Sequence, residues 1–387
     1  MFHCSSRNLA IVLIPFLSCQ WIQAAPEVQA VRLSDTAFRP QAVLDSDSTL
    51  HIVHAHKTRR GDLFYIKRKK GEKEFSKPIL VNSTPGCAAA FNMAVGKKGR
   101  VHVLIRPNAK YSRDKLMRRP KFVDLKYMLY CRLNDKGTAF EEERDLSGKT
   151  FAFEGVGALL ADGKGTVHVF WHGLDKPGRE PTRKIFTVKS TNEGKTFSEP
   201  TPIRNFVRGA CACCSMQGLL ASNGDIYLAY RNSIEEDGRK DSYLLKSSNH
   251  GRSFQSTMLD PWKQAGCPGS IYSLAETEKG VVVSWDTEGH VFFRSSEGKV
   301  KRVMARTRKK SRGAVVTVNN NGDVLFAWSE VGVGKRFAQG SDLAYQIFNK
   351  DGKPISRKKV IPAGVARWSF PAAVAQKDGS FLLFHDG

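Results

Sequence analysis

Ionisable residues recur at one place in a repeated strand pattern. Seven short apolar runs align as one strand type, at 50–54, 101–105, 167–171, 226–230, 281–285, 324–328 and 381–384. The residue after each run is Ala55, Arg106, His172, Arg231, Asp286, Ser329 or His385. Equivalent strand ends brought around one axis would gather these groups. Arginine forks match a carboxylate or sulfate, histidine can change charge near neutral pH, and Asp286 would be a candidate acid/base. The competing reading is structural: a ring of satisfied polar groups bordering a wet channel.

The second constellation is sulfur. Gly209-Ala210-Cys211-Ala212-Cys213-Cys214 is followed by Cys267. A disulfide linking Cys211, Cys213 or Cys214 to Cys267 would close a loop of about fifty residues, worth roughly 4 kcal/mol if chain entropy dominates. The alternative is a thiolate metal site completed by His172. Disulfides are expected, with no bound metal, no cofactor and no C-x-x-C redox centre. His51, His102 and His168 occupy one equivalent strand position, which reads as a structural preference of the repeat. His54 and His56 are spaced to share a strand face.

These groups need a scaffold. Each aligned strand has a partner before it, most have one after it, and Gly-containing turns such as Asn223-Gly224-Asp225 separate them, a hairpin signal. Four-strand units repeated around an axis make a β-propeller. Six full units precede a C-terminal half unit at 369–385, which residues 28–33 are expected to complete. The fold class is therefore all-β, a propeller of six or seven four-stranded blades. Two eight-residue turns reinforce the repeat: 190–197 (STNEGKTF) and 247–254 (SSNHGRSF). Asn folds back on the backbone and Gly takes a left-handed conformation, so the chain reverses. The Phe should pack the turn onto its own blade.

Residues 1–24 read as a signal peptide: an apolar run at 9–17, then Ala24 and Ala25. Cys19 would permit lipidation instead. The apolar run is too short to span a bilayer, and Pro15 interrupts it. The mature protein, residues 25–387, is expected to be one exported, monomeric propeller without an integral membrane segment. The formal charge of +24 becomes +23 once Arg7 leaves with the leader. Eight cations and no acid lie between Lys299 and Arg312. Such a field favours an acidic glycan or anionic envelope surface; nucleic acid is not expected, for want of a stacking platform.

The repeated turns, 61–65 (GDLFY), 130–140 (YCRLNDKGTAF), the cysteine cluster and Tyr230-Arg231-Asn232 together resemble the sialidase-like, BNR/Asp-box propeller superfamily, closest to secreted bacterial members. The resemblance spans roughly residues 36–387. It implies a glycan at the channel mouth, bound by Arg39 of Phe38-Arg39-Pro40 and by Arg231, with Asp62 placed as acid/base. Arg336 and Arg367 are candidates for a third arginine. Trp368-Ser369 stands where sialidases carry Tyr-Ser, and 213–217 holds no carboxylate base. Glycan binding is therefore the leading expectation, ahead of a glycosidase or polysaccharide lyase and of a cell-envelope interaction scaffold.

Overall fold

A computed structural model describes residues 25–386, apart from 112–126, 152, 208, 212, 235–237, 263–269, 288, 296–300, 304–310, 331–340 and 366–369. The proposed leader, Cys19, Cys267, Arg336, Arg367 and Trp368-Ser369 lie outside the described residues. The chain forms a seven-bladed β-propeller. Blade I is Ala37–Leu44, Leu50–His56, Leu63–Arg68 and Ile79–Leu80; blades II to VI repeat that four-stranded antiparallel order, starting at Ala88, Ala158, Gln217, Tyr272 and Ser311. Blade VII pairs Ala372–Ala375 with Phe381–His385, and Val28–Arg32 adds a third strand parallel to the latter, from Val28 opposite Phe381 to Arg32 opposite His385. The N-terminal strand thus completes the C-terminal half unit and closes the ring. Among the described residues, no helix is long and apolar enough to cross a membrane.

The aligned runs are the second strand of each blade. The first strand lies innermost, and the small residues Ala88, Ala89, Ala90, Gly218, Ala314, Ala372 and Ala373 border the central channel together with larger ones such as Phe91, Tyr272 and Leu274. Larger apolar side chains fill the gaps between blades. One cluster joins Leu104 and Tyr130 of blade II to Val169, Trp171 and Phe186 of blade III. Trp171, Trp285 and Trp328 are each almost fully buried. At roughly 25 cal/mol per Å² of apolar area, these seams are the main source of stability.

The repeated turns sit between third and fourth strands of blades III and IV. Ser190 Oγ accepts from the Gly194 amide at 2.9 Å, and Asn192 Oδ1 accepts from the Thr196 amide at 2.9 Å. Ser247, Asn249, Gly251 and Ser253 repeat the pattern. The aromatic does not stay on its own blade. Phe197 packs edge-on against Tyr130 of blade II at 4.9 Å, and Phe254 against Phe170 of blade III at 6.0 Å. Each turn overhangs the preceding blade, so its Phe fills the seam. Arg132 Nη1 donates to Glu193 O at 2.8 Å, and Arg144 donates to Gly194 O, holding the turn there. Gly194 has φ +71°, and a β-carbon on it would run into the Tyr130 hydroxyl. Gly194→Ala should therefore lower stability by about 2 kcal/mol through combined strain and overpacking, read from chemical denaturation.

The histidines shared by the second strands are structural. His51 Nδ1 bonds Tyr65 Oη at 2.8 Å, and its Nε2 lies 3.1 Å from Asp45. His102 Nδ1 bonds Tyr130 Oη at 2.6 Å. His168 stacks on Phe170.

Candidate functional site

The inner strands and the segments leading into them enclose a central cavity of about 1300 Å³. Its mouth lies where the inner strands begin. Phe38, Arg39, Arg106, Glu154, Cys213, Ser215, Ser270 and Phe370 converge there from six blades or the segments leading into them. Gln41 and Gln217 line it deeper, both donating to Asn92 Oδ1, at 3.0 and 2.9 Å. Asn92 in turn donates to Gly157 O at 2.6 Å, so an amide belt ties four blades at the axis.

Arg39 sits on the bulge that breaks the pairing of Phe38–Gln41 with the neighbouring strand, with φ +52°. Its guanidinium lies 5.1 Å from the Phe38 ring centroid and 5.9 Å from that of Phe370, favourable cation–π distances. Burial holds its pKa below the ordinary arginine value, and Asp386 partly offsets this. Arg106 is lowered in the same sense: burial is the main cause, Glu154 opposes it, and the Arg39 charge adds to it. Arg106 donates to Pro107 O at 3.2 Å, while its buried Nε has no hydrogen-bond partner. Glu154 accepts from Arg183 at 2.8 Å. Lys57, Arg60 and Glu276 also line the cavity.

The other strand-end residues stand one layer behind this wall. The second strand is not the innermost, and the segment entering the next blade folds across its end. His172 Nε2 lies 3.0 Å from Cys214 O, just before the inner strand of blade IV. Arg231 donates to Lys240 O and, at 2.9 Å, to Ser270 Oγ ahead of blade V, and stacks over Trp262 at 5.5 Å. Asp286 accepts from the Ile271 amide at 2.7 Å and the Gly313 amide at 3.4 Å. The shared register position is thus an inter-blade tie. Arg231 and Asp286 are 1 % and 3 % exposed, which leaves them no face toward the cavity. Burial pushes the His172 pKa down to about 4, with Arg183 adding to it, and raises that of Asp286. His385 is buried and bonds Asp386 O at 2.8 Å.

Asp62 is also structural in its contacts. It is 4 % exposed, accepts from the Gly86 amide at 2.7 Å and pairs with Arg59 at 2.8 Å. The structure brings together Arg39 and Arg106 from the expected set. It adds Gln41 within the first inner strand, and Glu154, Gln217, Ser215, Ser270 and Phe370, which lie at or just before inner-strand starts; counting those starts, rather than second-strand ends, would have found these five.

The cysteine cluster borders the same mouth. The sulfurs of Cys211, Cys213 and Cys214 all lie within 4.8 Å of one another, with Cys211 and Cys213 3.7 Å apart. Such spacing could suit a soft metal ion. The Cys214 thiol, however, is held protonated: its hydrogen bond to Cys211 and its burial raise its pKa well above the usual value. Cys211 moves the other way. The hydrogen bond from Cys214 and the Lys240 ammonium outweigh burial and bring it down to about 7. Lys240 Nζ lies 3.9 Å from the Cys211 sulfur and 2.6 Å from Glu180. No two described cysteines are bonded to each other; Cys87, Cys131, Cys211 and Cys214 carry thiols.

No protein-family model matches the sequence, and no curated protein does. Solved structures match in fold. A protein of unknown function from Dyadobacter fermentans superposes with TM-score 0.52 at 16% identity, covering 77% of this chain and 90% of its own. An α-L-arabinanase of Penicillium chrysogenum, solved with arabinobiose, gives 0.51 at 11%, covering 83% and 95%. The GH93 α-L-arabinofuranosidase of Fusarium graminearum, also with arabinobiose, gives 0.50 at 12%, covering 83% and 96%. At these identities the likeness is one of fold: a β-propeller architecture shared with carbohydrate-processing enzymes.

Proposed function

We propose that this chain is an exported propeller that binds an acidic glycan in its central cavity, with Arg39 and Arg106 on the sugar's carboxylate or sulfate. The observation that carries this reading is the mouth itself: the Arg39 charge adds to burial in lowering the Arg106 pKa, and the buried Arg106 Nε has no hydrogen-bond partner. Buried donors left unmatched are costly unless a ligand meets them. An anion would relieve both the repulsion and the unmet donor. Three further features support it. The channel is open, where an interaction scaffold would be expected to have a filled one. Phe38 and Phe370 offer faces for a sugar ring beside the charge. Two propellers of the same fold were solved with arabinobiose.

Binding is favoured over hydrolysis or lyase chemistry because of where the carboxylates lie. Asp62 and Asp286 are committed to backbone amides behind the wall. Of the carboxylates that line the cavity, Glu154 is ion-paired with Arg183, and Glu276 lies at the far end of its inner strand. Export, read from the leader-like first 24 residues, and a monomeric state belong to the same proposal. So does a disulfide between Cys213 and Cys267: Cys213 is the member of the cluster that carries no titratable thiol.

An array of sialylated, sulfated and uronic glycans should show retention of acidic members over neutral ones at physiological salt. Arg106→Ala should weaken binding by about 1.5 to 3 kcal/mol, the range for a charge-assisted hydrogen bond. Equal retention of neutral and acidic sugars would refute the reading.

A further inference from the structure

The cavity mouth carries a negative pole beside its two arginines. Glu154 stands in the segment entering blade III and lines the cavity with Arg39 and Arg106. Its charge acts on Arg106, opposing the effect of burial on that pKa. The backbone beside it is tightly packed: a β-carbon on Gly155 would lie 2.7 Å from Cys214 O, in the segment entering blade IV. Behind Glu154, Arg183 is 5 % exposed and donates from Nη2 to Glu154 Oε1 at 2.8 Å. Arg132 makes a different kind of pair. It holds both oxygens of Glu141, from Nε at 2.8 Å and Nη2 at 2.7 Å. Arg183 holds one oxygen of Glu154 and leaves its own Nε and Nη1 buried without a hydrogen-bond partner. A guanidinium kept only to tie blades together would use its fork in full. This one sets positive charge behind a carboxylate that stays 17 % exposed and lines the cavity.

We infer that Glu154 sets the class of ligand: it accepts a free hydroxyl of the bound sugar and turns away a sugar that carries a second anionic group there. Resting on the acidic-glycan reading above, this assignment makes the occupant a uronate with unmodified hydroxyls rather than an O-sulfated glycan. The two poles differ in chemistry. Arg106 spends Nη1 on Pro107 O, and its Nε has no partner; a planar carboxylate matches a guanidinium edge with both of its oxygens. An ionised carboxylate offers acceptors alone, so the match to Glu154 is a hydroxyl. A sulfate ester at that hydroxyl removes the donor and sets two negative groups against each other. Specificity of this kind combines an attractive contact with a repulsive one. Arg183 is a positioning residue that holds Glu154 in place. Net charge alone predicts the opposite order, because a chain of formal charge +24 draws the more highly charged polymer. The order of affinities therefore separates the cavity from the diffuse field.

The test is isothermal titration of chondroitin oligosaccharides of one length, either unsulfated or O-sulfated on the uronate ring, at physiological salt. Wild type should bind the unsulfated form about tenfold more tightly, as like charges set together at a binding site dictate. Glu154→Gln keeps the size and an acceptor oxygen but removes the charge. It should abolish that preference, chiefly by tighter binding of the sulfated form. Glu154→Gln/Arg183→Met removes both charges at near-constant volume, leaves no buried cation unpaired, and should lose the preference as well. Thermal melting of each variant establishes that it is folded. A wild type that prefers the sulfated form, or a preference unchanged in the folded variants, would overturn the inference and leave the acidic-glycan reading standing. A neutral oligosaccharide bound by wild type as tightly as the unsulfated uronate would refute that reading, and the role of Glu154 with it.

Discussion

Acidification should unfold this protein through its buried histidines, well before its surface carboxylates are protonated. Burial pushes His168 and His172 from 6.5 down to about 4, with Lys189 adding to the effect on the first and Arg183 on the second. His51, His54, His102 and His385 are lowered in the same direction, also chiefly by burial. A histidine kept neutral in the fold but free to charge when unfolded makes the unfolded state bind more protons between the two pKa values. Stability then rises with pH across that window. It is intact above about pH 7, falls as pH drops through 6.5, and is lost in full near pH 4. For His168 and His172 the loss is roughly 3 kcal/mol each. Urea midpoints measured at pH 7.5, 6.0 and 4.5 should fall steeply. Midpoints that stay level across this range would show that the histidines are charged in the folded state.

Arg231→Ala should lower stability by about 3 kcal/mol, combining lost packing with two acceptors left unmatched in a dry seam. The side chain is 1 % exposed, joins the Lys240 carbonyl of its own blade to Ser270 ahead of blade V, and stacks on Trp262. Arg231→Met should recover part of the loss, because it keeps volume and gives up only the donors. Glycan affinity of the folded fraction should stay within a factor of about two. The contrast with Arg106→Ala is the point: one arginine fastens blades, the other faces the cavity. If Arg231→Ala instead melts like wild type and loses ligand, the two roles are reversed.

The architecture was legible because propeller physics repeats it. Gly-containing turns and period-two apolar runs recur along the chain, and the completion of 369–385 by 28–33 followed from an incomplete half unit needing a partner. The site was less legible for two reasons. The polar residue ending each second strand was assigned to the axis, yet an inner strand lies between it and the channel. Arg106 reaches the mouth, while His172, Arg231 and Asp286 are covered by the segments entering the next blades. Second, Glu154, Ser215 and Ser270 sit in those linking segments, where no periodicity marks them. The turn aromatics show a similar limit. Sequence showed that Phe197 and Phe254 anchor a turn, but only the angle between blades decides that they reach the preceding one.

Isothermal titration of a uronate-rich oligosaccharide into wild type, Arg106→Ala and Lys309→Ala/Lys310→Ala tests the central claim most directly. The two lysines belong to the dense basic run of the sequence and lie outside the described residues. The cavity account predicts one binding site per chain and a loss of roughly ten- to a hundredfold in Arg106→Ala. The lysine pair should alter salt sensitivity with little change in affinity at physiological salt, since exposed charges steer more than they hold. Equal losses in both variants would mean that the chain binds by diffuse charge, and the central cavity would not be its glycan site.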